Sequence, residues 1–163
     1  VLICSFAYSQ NFSIPDPNFE QALIDLNLDN TSPTDAIDGV MEISVAASLT
    51  DLNISWRNIN DLTGIEQFVS LENLSCANNN LSTVDFSSNL DLEYLYVNGN
   101  NLTQLNLSLL SNLKELWCQS NQLNSLTLPI DSSLEILECH FNNLNNLDLS
   151  NSLVLERIKA QHK

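Results

Sequence analysis

Basic residues are scarce in this sequence of 163 residues, which has five Lys and Arg against 20 Asp and Glu and a formal net charge of −15. Such a charge repels phosphate backbones, so we expect no nucleic-acid partner. Glycine and proline are also few, with three and four residues, which excludes a collagen-like or linker-dominated chain. The apolar runs are too short to cross a bilayer, so we expect no transmembrane segment in this chain. Hydrophobic residues make up 44% of the sequence, which is enough for the core of one domain.

One motif, L-x-x-L-x-(L/C/V)-x-x-N-x-L, returns four times. It starts at positions 71, 92, 113 and 134, so successive copies are 21 residues apart. A unit of this size cannot bury its apolar side alone and must stack on its neighbours. The motif resembles that of the leucine-rich repeat family. This resemblance implies an α/β repeat solenoid: a right-handed superhelix with a parallel β-sheet on its concave face and a helical cap at its N-terminal end.

The spacing within the motif predicts its local structure. Apolar residues at the fourth and sixth places alternate with residues of any type, which predicts a strand with one buried face and one free face. The ninth place falls where the strand ends, beside backbone groups that lack ladder partners. An Asn amide has both donors and an acceptor, so a column of Asn is predicted to bond these groups from coil to coil. The column consists of Asn79, Asn100, Asn121 and Asn142.

The second half of each unit carries shorter apolar pairs, such as Leu105 with Leu107. Their spacing gives too little room for long helices. We therefore expect extended or 3₁₀-like turns on the convex side.

Three segments are expected along the chain. Residues 1–10 are apolar and then small and polar, which is typical of the end of a secretory signal peptide; an ordinary buried strand is the alternative. Residues 11–48 are expected to form the N-terminal cap, with a helix at about 17–27 that Asp16 caps and Pro17 starts, and a polar loop after it. Residues 49–163 are expected to be leucine-rich repeats that are truncated at the C-terminal end, because the last strand has no cap.

The first repeat is irregular. Arg57 stands where the later repeats have the ladder Asn, as is common in terminal repeats. Residues 14–26 and 59–66 resemble the opening of secreted leucine-rich repeat proteins of Bacteroidetes-type bacteria. This resemblance implies that the protein is secreted or displayed at the cell surface.

Residues that bind metals are present but are not clustered. Three cysteines at the inward sixth place are expected to be buried free thiols, because no further zinc ligand shares that face. They are Cys76, Cys118 and Cys139. The acidic loop 29–39 offers carboxylates to Ca²⁺, but its spacing matches no EF-hand. We therefore expect neither a metal site nor a cofactor.

No catalytic group is recognisable. His140 and His162 are the two histidines, and His140 lies near Glu138 on the free face. A nucleophile or a second ligand at a fixed spacing does not accompany them. We therefore expect no catalytic residue and a non-enzymatic protein.

The free face of the strands carries aromatic residues. Read across successive repeats, the third and fifth places bring Tyr94, Tyr96 and Trp117 together. Exposed aromatic residues are costly in water and are enriched at binding hot spots. An alternative is that these rings pack on one another and support the sheet. The candidate binding residues are the three aromatics and their polar rim: Tyr94, Tyr96, Asn98, Glu115, Trp117, Gln119, Glu138 and His140.

Two functional hypotheses follow, because a fold alone does not establish a function. The leading one is a secreted or cell-surface module that binds a protein partner through its concave face, with Tyr96 and Trp117 as anchors. The alternative is a carbohydrate-binding or adhesive module, in which the Tyr94/Tyr96/Trp117 cluster stacks on a polysaccharide. A structural spacer is a third reading, and it predicts that removing the aromatics abolishes no activity.

Overall fold

The segment before the repeats forms a small mixed unit. The computed structural model describes residues 10–29, 36–130 and 133–160. Strand β1 (Asn11–Ser13) pairs antiparallel with β2 (Val40–Glu42), helix α1 (Pro17–Asp25) lies between them in the chain, and the short helix α2 (Ile43–Ala46) follows. Apart from Gln10, the expected signal-peptide remnant lies outside the described residues. None of the helices in the described part of the chain is both long and apolar enough to cross a membrane.

Helix α1 ends at Asp25, two residues before the end expected from the sequence. The side chain of Asp16 accepts hydrogen bonds from the backbone N–H groups of Asn18 and Phe19 at 2.8 and 3.1 Å, which is the cap that the sequence predicted. Asn27 has a left-handed backbone, with φ of 57°, so the helix cannot continue through it. The inner face of α1 enters the core of the repeats through Phe19, Ala22 and Leu23.

The repeats form a six-stranded parallel sheet whose spatial order follows the chain. Its strands are β3 (Asp51–Asn53), β4 (Asn73–Ser75), β5 (Tyr94–Tyr96), β7 (Glu115–Trp117), β9 (Ile136–Glu138) and β10 (Arg157–Lys159). Residues paired from β4 onward are 21 positions apart, as Tyr94 with Glu115, while Asp51 of β3 pairs with Asn73. The chain is thus a parallel β-solenoid of about five turns, the fold predicted from the motif.

The second half of the repeat units is extended or 3₁₀-helical, as predicted. Strands β6 (Gln104–Asn106) and β8 (Ser125–Thr127) pair in parallel, and a 3₁₀ turn occupies Ile65–Gln67. The core lies between the two halves of each coil and is continuous from Ile14 to Leu144. It includes the inward sixth-place side chains, which are Ile54, Cys76, Val97, Cys118 and Cys139.

The predicted asparagine ladder is confirmed. Asn121 accepts a hydrogen bond from the Leu102 N–H at 3.0 Å and donates two, to the carbonyl oxygens of Val97 at 3.0 Å and Cys118 at 3.1 Å. The carbonyls of Cys76, Val97 and Cys118 are each shared by two successive amides, as Val97 accepts from both Asn100 and Asn121. The four amides are almost fully buried, so they replace the water that these backbone groups would otherwise need.

The ladder has a direction, since each amide serves the turn of the preceding coil. Asn79 accepts from the backbone N–H groups of Arg57 and Ile59 in the first repeat. The second carboxylate oxygen of Asp16 then accepts from the next two N–H groups of that turn, at 2.8 and 3.1 Å. Arg57 therefore needs no amide of its own, and it forms an ion pair with Asp25 of α1 instead.

Candidate functional site

The sheet places the candidate residues on its free, concave face in the predicted order. Tyr94 pairs with Glu115 at the third place, and Tyr96 pairs with Trp117 at the fifth. Trp117 pairs in turn with Glu138 on β9. Because these strands are in register, the side chains at one place form a continuous row across the coils.

The two central aromatics pack against each other. The ring centroids of Tyr96 and Trp117 are 5.2 Å apart with an interplanar angle of 89°, the edge-to-face arrangement that aromatic pairs favour. Both side chains are half-buried. Burial and the nearby carboxylate of Glu115 raise the pKa of Tyr96, so its hydroxyl stays protonated and can donate a hydrogen bond at neutral pH. The pair thus offers a rigid surface with polar atoms at its edge.

Glu138 is more buried than a residue of the polar rim was expected to be, with 4% of its surface exposed. Cations on the next strand explain this position. The Lys159 ammonium lies 3.0 Å and the Arg157 guanidinium 3.5 Å from one carboxylate oxygen, and His140 Nδ1 lies 3.6 Å from the other. The cations neutralise a carboxylate that would be costly to bury alone. Glu138 therefore lies below the surface of the concave face, beside the cations of β10.

The seventh-place residues Asn98, Gln119 and His140 lie two positions after the ends of β5, β7 and β9 and are half-buried. Three polar atoms of this region have no hydrogen-bond partner within the described chain although they are buried: Trp117 Nε1, Gln119 Oε1 and His140 Nδ1. An unpaired buried polar atom costs about 1–3 kcal/mol. The concave face around β7 and β9 is thus under-satisfied in hydrogen bonds.

The three sixth-place cysteines are buried free thiols, as predicted. Burial raises the pKa of Cys76 to about 12 and that of Cys139 to about 11, and it also raises the pKa of Cys118 well above its usual value. Such thiols stay protonated at neutral pH, so they behave as small apolar residues of the core.

The described part of the chain holds no cluster of three His, Cys, Asp or Glu side chains that could bind a metal. The Glu20 carboxylate of α1 accepts hydrogen bonds from the backbone N–H groups of Asp38 and Gly39 at the end of the acidic loop, both at 2.7 Å. Asp35 of this loop and His162 lie outside the described residues.

The eighth place of the first five coils, directly before Arg57 or a ladder Asn, has a left-handed backbone, which the sequence analysis missed. The five residues at this eighth place have φ between 54° and 67°, and they are Trp56, Asn78, Gly99, Ser120 and Phe141. Asn and Gly tolerate this conformation, whereas bulky residues adopt it rarely. Phe141 extends the concave site, because its ring packs edge-on against His140 at 4.7 Å.

Comparisons with solved structures agree with this architecture. The chain is similar to the functional domain of InlJ from Listeria monocytogenes, with 27% identity and a TM-score of 0.65, covering 95% of this chain and 39% of that one. It also shares the fold of the internalin InlF from Listeria monocytogenes, with 19% identity, a TM-score of 0.64 and coverage of 92% and 52%. The InlJ domain is described as including a cysteine ladder.

The chain therefore spans about two fifths and about half of these two structures. No protein-family model matches the sequence, and no curated protein matches it either. The internalin neighbours are leucine-rich repeat proteins, so the parallel β-solenoid described above is a leucine-rich repeat fold.

Proposed function

We propose that this chain is a non-enzymatic protein-interaction module, secreted or displayed at the cell surface, that binds a partner protein through its concave face. Tyr96 and Trp117 are the anchors, and Tyr94, Glu115, Gln119 and His140 surround them. The similarity to an internalin domain supports interaction with a protein in general.

One observation carries the proposal: a half-exposed aromatic pair lies in the middle of the concave sheet, next to buried polar atoms that have no hydrogen-bond partner among the described residues. Aromatic residues at the centre of a surface contribute most of the binding energy in protein interfaces. Side-chain rotations on binding are common, and they would allow Gln119 and His140 to pair with groups of the partner. Binding then recovers hydrogen bonds that the free chain lacks.

The charge of the chain indicates a basic partner. A net charge of −15 attracts a positively charged protein at long range and raises its association rate. The attraction is screened by salt, so the affinity should fall as the ionic strength rises.

The test is a capture experiment with solubilised cell-surface proteins, in which the chain from Gln10 onward is compared with its Tyr96→Ala/Trp117→Ala variant. Leu109→Ala is the matched control, because it removes an exposed apolar side chain far from the sheet. A photo-crosslinking amino acid placed at Tyr94, and separately at Leu109, maps the contact. We expect capture by the parent and the control, loss in the double variant, and crosslinks from position 94 alone.

Circular dichroism melts show whether the double variant is folded. If the double variant is not folded, Tyr94→Lys serves in its place, since a long side chain at this half-buried position disturbs the fold less than loss of the Tyr96–Trp117 pair. Equal capture by a folded variant and the parent, or crosslinks from position 109 alone, would move the site away from the concave face.

A further inference from the structure

One side of the solenoid contains no charged residue in four successive coils. The segments 78–84, 99–105, 120–126 and 141–147 follow β4, β5, β7 and β9, and none of the 25 Asp, Glu, Lys and Arg residues falls in them. We call this side, at the carboxyl ends of the parallel strands, the turn face. The amino ends of the strands differ sharply, with the charged row Glu72, Glu93, Lys114, Glu135 and Glu156. In a chain of net charge −15, a side without charge points to a neutral ligand.

Amide side chains form an exposed row along the turn face. They occupy the tenth place of four successive coils: Asn80, Asn101, Gln122 and Asn143. Gln122 Nε2 donates to Asn101 Oδ1 at 3.4 Å, and Asn143 Nδ2 donates to the Gln122 carbonyl at 3.4 Å, so the row runs from coil to coil. A primary amide offers two donors and an acceptor, and within the described residues these side chains make at most these long bonds. The row therefore keeps both donors and acceptors for a ligand, at a repeat of about 4.8 Å.

Two aromatic residues stand at the ends of the same side. Trp56 is 75% exposed and Phe141 is 55% exposed, and both have the left-handed backbone that bulky residues avoid. The turn imposes this backbone, because the Trp56 N–H donates to the Ala77 carbonyl just as the N–H of Asn78 donates in the next coil. Asn would fit the conformation at lower cost. Exposure of the ring to water and the left-handed backbone both cost free energy, which indicates that the residue contacts a ligand.

The turn face continues into a groove. A cavity of about 450 Å³ lies between the second halves of two successive coils, and hydroxyl and amide side chains contribute much of its wall. These include Ser82, Thr83, Thr103 and Gln104. Such groups both donate and accept hydrogen bonds, as sugar hydroxyls do.

We propose that the turn face binds a neutral polysaccharide, which lies across the coils on the amide row, with Trp56 and Phe141 stacking at its two ends about 19 Å apart. Amides and hydroxyls match sugar hydroxyls in both directions of hydrogen bonding. The absence of Lys and Arg from these segments disfavours an acidic polysaccharide. A protein interface would be expected to have a central cluster of aromatic and Arg residues, and here the centre is polar and the rings are at the ends.

This surface adjoins the concave face where Phe141 packs against His140. Its amide row and groove lie outside the concave face and outside the Tyr94/Tyr96/Trp117 cluster that the sequence offered as a sugar site. The perpendicular rings of Tyr96 and Trp117 give a sugar no continuous flat platform. Trp56 sits beside the Arg57–Asp25 ion pair, in which the two charges neutralise each other.

The test is a titration of the whole chain with soluble β-glucan, mannan and galactan, and with heparin and pectin as acidic probes, followed by tryptophan fluorescence and calorimetry. We expect binding of at least one neutral polysaccharide, unchanged between low and high salt, and no binding of the acidic ones. Trp56→Asn and Phe141→Asn should each lower the affinity for the neutral polysaccharide about tenfold. The melting temperature should stay equal or rise, because Asn suits the left-handed backbone.

Ile130→Asn is the matched control, since it replaces another exposed apolar residue outside the turn face and should bind like the parent. Absence of binding to all three neutral polysaccharides overturns the proposal, as does equal binding by the folded Trp56→Asn/Phe141→Asn variant. Stronger binding of the acidic probes also overturns it. Protein capture by the concave face is measured on the same samples, so failure of either proposal is seen independently of the other.

Discussion

Replacing Asn121 by Leu removes one rung of the ladder from the middle of the solenoid. The Leu102 N–H loses its side-chain acceptor and is left buried and unpaired, which costs about 1–3 kcal/mol. The carbonyls of Val97 and Cys118 each lose one of two donors but keep the neighbouring amide, Asn100 or Asn142, so each adds about 0.5–1.5 kcal/mol. The free energy of unfolding should therefore fall by roughly 2–6 kcal/mol.

Gln122→Leu is the matched control for this substitution. Gln122 is the next residue in the chain, but it is exposed and makes one side-chain hydrogen bond of 3.4 Å. Its replacement should change stability by no more than about 0.5 kcal/mol. Urea unfolding followed by circular dichroism measures both variants. Equal midpoints for the two, with unchanged slopes, would show that the ladder does not stabilise the solenoid and would refute this reasoning.

Three further predictions concern other parts of the fold. Burial raises the pKa of Asp16, but hydrogen bonds from four backbone N–H groups outweigh burial and hold that pKa below its usual 3.8. The stability that the ionised carboxylate provides should be complete above pH 3.8 and should be lost as the pH falls through the lower pKa of the folded state. Asp16→Asn should remove this part of the acid dependence in melts from pH 6 to pH 2.5, and an unchanged profile would contradict the assignment. Once the fourth cysteine of the sequence is removed by Cys4→Ser, the buried sixth-place cysteines should resist a thiol reagent at pH 8 until the chain unfolds. Fast labelling of the native chain would show that they are accessible. Gly99→Ala should destabilise by about 1 kcal/mol or more, because φ is +67° and the added carbon would lie 2.4 Å from Asn78 Oδ1. Adding Asn78→Gly, which removes that amide and suits the left-handed backbone at φ of 55°, should recover part of the loss, and no recovery in melts would exclude the contact as its cause.

The repeat register was predictable because it follows from a spacing that the sequence states directly. Once residues 21 apart stack, the neighbours of Tyr96 and the role of Asn121 follow from the geometry of a parallel sheet and from the donors of an amide. The irregular first repeat also had a physical reason. With no earlier coil to serve, Arg57 is free to pair with Asp25.

Features that depend on side-chain positions were not predictable in this way. The burial of Glu138 requires two cations from β10 to lie over it, and the motif sets no rule for those places. The pairing of β1 with β2 joins segments separated by a helix and a loop, where no repeat fixes the register. The left-handed eighth place was hidden because Trp56 and Phe141 occupy it against the usual preference for Gly and Asn.

Because the ladder has a direction, the solenoid can change its length by whole coils. If residues 94–114 were removed, β7 would follow β4, and Asn121 would meet the Leu81 N–H that Asn100 now serves. The ladder would stay complete, so a coil can be lost or duplicated in evolution without changing the ladder residues of its neighbours. Each such event shortens or lengthens the concave face and the turn face together by about 4.8 Å. The lengths of the two surfaces therefore always change together.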